Sequence, residues 1–197
     1  MSIRHAANRF RRTWVDVWNG TSWVNSATCG AFMASDRFIS DREFGNKLRN
    51  FLTDPAQPMP AQAYLARLAG TDIYLVGRSS SDIQNEKYST LVTLRRAYYT
   101  CTIYKFESTV AASGVKTNPV RTVVATSPCD HENITFIGSK EYPTVKFGDE
   151  VVILPANIDV STSYEILIDN KYYEVEEVYD FSGLKYCRCL VKPAPTN

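Results

Sequence analysis

Residues 163–180 read SYEILIDNKYYEVEEVYD, and this stretch decides the fold. Alternating apolar residues flank Asp169-Asn170, a pair that tolerates the left-handed backbone of a tight hairpin turn. SYEILI and KYYEVEEVYD are therefore read as two paired strands. The doubled Glu176-Glu177 breaks the alternation set by Tyr173, Val175 and Val178, which predicts a bulge that bends the second strand as a barrel needs. Around the hairpin lie RTVVAT (121–126), NITFIG (133–138), DEVVILPA (149–156) and LKYCRCLVK (184–192), separated by glycine, proline, asparagine or serine. The second half is thus expected to form a small barrel or sandwich.

Toward the amino terminus, VDVWNGTSWV (15–24) places Asn19-Gly20 between two runs rich in valine and tryptophan, which predicts a hairpin with a two-residue turn. Ser40 and Glu43 can form a capping box, and Phe44, Leu48, Phe51 and Leu52 follow at helical spacing until Asp54-Pro55, so one short amphipathic helix is expected here. PAQPMP (55–60) is a rigid connector, and AYLARLAGTDIYLVG (63–77) can be a helix capped by Gly70 or two strands around a turn, the strands being favoured because Ile73, Tyr74, Leu75 and Val76 follow the glycine at once. STLVTLRRAYYTCTIYKF (89–106), β-branched and aromatic, is read as extended chain joining the two halves. The expected organisation is a basic arm over 1–13, a β-rich domain with a short helix over 14–100, a small β-barrel over 101–193 and a tail over 194–197. The fold class is mainly β, in two barrel or sandwich domains, and no aligned repeat relates the halves.

The chain has 197 residues, 44% hydrophobic and 22% charged, which suits a folded globular protein with room for one large or two small cores. A formal net charge of +1 gives no long-range field to draw nucleic acid or anionic lipid, so any such contact must be local. No apolar run has the length of a membrane span, and the amino terminus lacks the apolar core of a secretory signal, so maturation in the host cytosol is expected. Five cysteines, an odd number at irregular spacing, are read as free thiols. MSIRHAANRFRR (1–12) carries Arg4, Arg9, Arg11 and Arg12 with no acidic residue, a flexible arm able to meet phosphates or carboxylates.

A catalytic function needs groups that the sequence largely lacks: there is no phosphate loop, dinucleotide loop or nucleophile elbow, and only two histidines, His5 and His131. Cys129 and His131 in SPCDHEN (127–133) are the one nucleophile-base candidate, set against a polar turn closing a hairpin, which the residue types favour. Cys187 and Cys189 share a strand face and with Cys129 and His131 make four soft ligands, but their spacing fits buried small side chains better than zinc. Glu174, Glu176, Glu177 and Asp180 suggest a solvated strand face before a calcium site. Tyr98, Tyr99, Tyr104, Tyr172 and Tyr173 suit a stacking platform for bases or sugars, and suit core or subunit contacts equally. The expectation is a non-enzymatic protein without metal or cofactor.

The segment KFGDEVVILPANIDVSTSYEILIDNKYYEVEEVYDFSGLKYCRCLVKPA (146–194) resembles the closing strands of phage head-tail connector and head-completion proteins. The likeness is carried by Gly148 and Asp149 at a strand start, the Asp169-Asn170 turn, Tyr172 to Val175, and Cys187 to Val191; it covers the last quarter of the chain and is a pattern of strands and turns. It implies a ring-forming virion protein at the head-tail interface, below the portal, that seals the DNA-filled head and receives the tail. Its implied partners are copies of itself, the portal and tail proteins, with the four arginines of the arm touching an acidic portal surface or packaged DNA, and no membrane. A tail terminator or other tail protein is the nearest alternative. A carbohydrate-binding or capsid-decorating β module is the alternative of another class.

Overall fold

The structure, a computed structural model, describes residues 13–32, 48–54, 56–68, 71–78, 91–108, 119–134 and 148–193. Every regular element among them is a strand, and the strands close into two six-stranded antiparallel barrels, with the chain passing from one to the other at Ala97-Tyr98. Among these residues no helix is long and apolar enough to cross a membrane.

The first barrel comprises β1 (Thr13–Trp18), β2 (Trp23–Phe32), β3 (Leu48–Thr53), β4 (Leu65–Leu68), β5 (Asp72–Arg78) and β6 (Leu91–Arg96), in the order β1-β2-β3-β6-β5-β4 with β4 returning to β1. Strand alternation puts Val15, Val17, Ala66, Leu68, Tyr74 and Val76 into one buried core around Phe51. The Asn19-Gly20 hairpin forms, but its turn sits one residue later than the sequence suggests. Asn19 N donates to Ser22 O at 3.1 Å, leaving Gly20-Thr21 at the tip with Gly20 at φ +101°. The Asn19 side chain accepts from the backbone N–H groups of Thr21 and Ser22, and this local turn outcompetes the tighter one.

Residues 63–77 form the two expected strands, β4 and β5. The expected helix is corrected over its second half. Leu48–Thr53 is β3, laddered on one side to β2 and on the other to β6. Phe51 is wholly buried in the barrel core, and two ladders together outweigh a helical spacing of apolar residues. Ser40, Glu43 and Phe44 lie outside the described residues. Gly30, on β2, lets this packing happen: a Cβ there would collide with the Leu52 carbonyl oxygen and stand 2.7 Å from the Phe51 ring. Gly30→Ala is expected to cost about 2–3 kcal/mol by overpacking, measured as a fall in the denaturation midpoint; an unchanged midpoint would contradict this packing.

The second barrel comprises β7 (Tyr99–Glu107), β8 (Val120–Asn133), β9 (Glu150–Pro155), β10 (Glu165–Ile168), β11 (Lys171–Phe181) and β12 (Leu184–Lys192), in the order β7-β8-β9-β12-β11-β10 with β10 returning to β7. Asp169 and Asn170 have φ of 47° and 63° between the Ile168–Lys171 pair, the turn the sequence predicts. On β11 the core-facing phase runs Tyr173, Val175 and then Val178, so it shifts at the doubled glutamate. Arg188 there reaches both Glu176 and Glu177, neighbours that a regular strand would point to opposite faces. SPCDHEN is corrected from a turn to strand: it is the end of β8. Pro128 breaks no ladder bond toward β9, which pairs with β8 only from Asp130 to Asn133.

Candidate docking face on the second barrel

Alternation along β7 sends Cys101 and Ile103 into the core and Tyr104 and Phe106 to the outer face. The ladders set Arg121 of β8 opposite Phe106, and Glu165 of β10 opposite both Tyr104 and Glu174. Arg121 therefore lies among rings, its Cζ 4.4 Å from the Tyr172 centroid, 5.3 Å from Tyr104 and 5.7 Å from Phe106. Its Nη2 donates to Glu165 Oε2 at 2.6 Å. Lys192 Nζ donates to Glu165 Oε1 at 3.1 Å and lies 2.9 Å from Glu174 Oε2. The Glu174 hydrogen bond first, and Glu165 after it, hold the Lys192 ammonium above the ordinary lysine range against its partial burial.

Glu165 is only 4% exposed, so its charge depends on these two cations. A guanidinium committed to a buried carboxylate and stacked against three rings has few donors left for a phosphate. The same stacking occupies Tyr104 and Tyr172, two of the tyrosines read as a base or sugar platform. Tyr99 and Tyr173 pack on His131, at 6.0 and 4.9 Å. What the face offers outward is apolar: Phe106 is 42% exposed and Val123 56%, with Leu190 exposed on β12 two residues before Lys192, while Val120, 63% exposed, points to the other side of β8 with Glu107. Exposed apolar residues grouped on one face of a folded domain make it a candidate for a protein contact.

β8 adds a stretch that, among the described residues, is paired on one side. Among the described residues its first part, up to Cys129, is laddered to β7 alone, because the ladder to β9 begins at Asp130. A long one-sided edge bearing exposed valines is a template for another chain.

The other candidates fall elsewhere. Arg4, Arg9, Arg11 and Arg12 lie outside the described residues. All five thiols are free and buried. Cys129 is hydrogen-bonded to Cys101, and this bond, then burial, pushes its thiol far above the ordinary range. Burial pushes Cys187 up to about 12 and raises Cys189 as well, the opposite of nucleophile activation. His131 is not joined to Cys129: its Nε2 lies 2.7 Å from Glu150 Oε2. Among the described residues no three histidine, cysteine or acidic side chains are grouped to hold a metal. Glu174 pairs with Lys192, and Glu176 and Glu177 with Arg188, while Asp180 is exposed.

The sequence flagged Tyr104 and Tyr172 but missed Arg121 and Glu165. Glu165 follows Tyr164 in an apolar strand, and that lone acid at a strand start was the available signal. The fold defines a tandem all-β protein of two closed barrels. No family model matches the chain, and no curated protein matches it in sequence.

Proposed function

We propose that this chain is a structural virion protein of a tailed-phage neck, forming a ring that joins the portal-bearing head to the tail and helps close the DNA-filled head. The observation that carries the reading is the outer face of the second barrel, where Phe106 and Val123 are exposed beside a stretch of β8 that, among the described residues, is laddered on one side, and above a charge-paired floor. The strand and turn pattern over 146–194 supports the same class. Closed cyclic assembly multiplies a modest contact, so a monomer or weak oligomer in isolation becomes a stable ring against its neighbour. Phe106→Asp and Val123→Asp are expected to leave the barrels folded and to abolish joining to the portal or tail in a reconstitution followed by electron microscopy. Normal joining by both variants would remove this face from the account.

The basic arm has a separate role in the proposal, anchoring on an acidic portal surface or on DNA in the channel. Changing Arg4, Arg9, Arg11 and Arg12 together to serine is expected to weaken docking at physiological salt while the far-ultraviolet spectrum stays that of the intact protein. Unchanged docking would make the arm a passive tail.

A further inference from the structure

Counted from its own first strand, each barrel has the same order, 1-2-3-6-5-4. The registers also coincide. Val17 pairs with Ala66 and Ala66 with Tyr74; in the second barrel Ile103 pairs with Ile166 and Ile166 with Tyr173. Two residues earlier on the first strand, Val15 pairs with Thr28 as Cys101 pairs with Ser127, and both hydroxyl residues are buried. Four residues on from these, Phe32 pairs with Phe51 as His131 pairs with Val152. Each first hairpin also breaks register part-way along, by two residues before Val17 in the first and by one residue after its equivalent Ile103 in the second.

The irregular connections agree as well. After the third strand Gln57 N donates to Asp54 O at 2.9 Å, and Ile158 N to Pro155 O at 3.2 Å. Before the fourth, Tyr64 O accepts from Val76 N at 3.0 Å, and Tyr164 O from Val175 N at 2.8 Å. Closure of six strands dictates neither these registers nor these bonds. We infer that the chain is a tandem duplication of one six-stranded barrel unit, with Tyr64/Tyr164, Tyr74/Tyr173 and Val76/Val175 as identities at equivalent positions.

The two copies also locate the functional element by their difference. In the first, Asn19–Ser22 close Trp18 onto Trp23. In the second, the strands run on beyond the equivalent Tyr104–Val123 pair to Glu107 and Val120, and this added length carries Phe106, Val120 and Arg121. Leu65 stands where the second copy has Glu165, so the buried charge entered with the arginine that neutralises it. The extension is the docking element for a second copy of this chain, a localisation that rests on the ring reading above. Arg121 and Lys192 on this face balance Glu165 and Glu174, so the face meets its own copy without net like-charge contact.

Two experiments on the full chain decide these points. Gly30 and Phe51 correspond to Cys129 and Val152, a small residue under a large one exchanged for two of middle size. Gly30→Cys alone is expected to lower the thermal midpoint through collision with Phe51, and adding Phe51→Val to regain about 3 °C or more. Losses that merely add, or a double variant no better folded than Gly30→Cys, overturn the duplication. The second replaces residues 105–122 with Asn-Gly-Thr-Ser and Glu165 with Leu, restoring the first copy's hairpin. Near-native folding with lost self-association in sedimentation is the expected result. An unfolded graft overturns the shared register. A folded graft that associates as the parent does overturns the localisation and leaves the repeat standing. A parent that never associates, even with its portal or tail neighbour, instead sinks the ring reading, and the core exchange still decides the repeat.

Discussion

Raising the pH from about 9 to about 11 is expected to unfold the second barrel, because its buried thiols keep protons that the unfolded chain sheds. Cys187 is held up to about 12 by burial, against an ordinary 9.0. Cys129, through its bond to Cys101 and then burial, and Cys189, through burial, are raised with it. A raised folded-state value makes this contribution complete below the unfolded value and progressively lost above it. Each such thiol removes about 1.4 kcal/mol of stability per pH unit in that window, so three remove about 4 kcal/mol per unit. Over two units the loss approaches about 8 kcal/mol, which is comparable with a total stability on the order of 5–15 kcal/mol. Tyr173, raised mainly by burial, acts in the same direction. Thermal midpoints recorded across this range should fall steeply, and a variant with Cys129, Cys187 and Cys189 changed to alanine should fall less steeply whatever its starting midpoint. A flat profile, or equal slopes, would contradict the burial of these thiols.

Arg121→Ala is expected to destabilise the second barrel by about 2–4 kcal/mol, since it leaves the 4%-exposed Glu165 with Lys192 as its remaining cation. Losing the stack on Tyr172, Tyr104 and Phe106 adds to the cost. Most of the penalty comes from the stranded carboxylate and not from the pair itself, and this separates the variant from an ordinary surface truncation. Arg121→Ala combined with Glu165→Leu should therefore recover most of the loss, with leucine standing as Leu65 stands in the first barrel. Urea denaturation of the two variants measures the difference. A loss below about 0.5 kcal/mol for Arg121→Ala, or no recovery in the double variant, would show that Glu165 does not depend on the arginine.

Period-two patterning made the second barrel readable from sequence, because one buried face imposes alternation along KYYEV up to the doubled glutamate and along most of SYEILI and LKYCRCLVK. The same reasoning failed where two signals competed. Leu48, Phe51 and Leu52 fit a helix and a strand equally in local spacing, and only the ladders to β2 and β6 decide between them. SPCDHEN has the composition of a turn, yet its alternate residues Ser127 and Cys129 are buried, a period-two signal masked by polar residue types.

The docking face was half visible. Tyr104 and Tyr172 stood out as aromatic strand residues, but what covers them comes from Arg121, brought alongside by pairing of β8 with β7. The repeat was hidden for a related reason. Equivalent core positions hold Val15 and Cys101, or Phe51 and Val152, which share burial and not residue type. Loop lengths differ as well, so the two halves keep register in space and lose it in sequence.

The proposed neck role is tested most directly by disrupting the gene in its source genome and imaging any phage particles produced. DNA-filled or leaking heads accumulating beside unattached tails, with joining restored by the wild-type chain and not by Phe106→Asp, is the predicted result. Intact tailed particles of normal infectivity in the absence of the chain would contradict it.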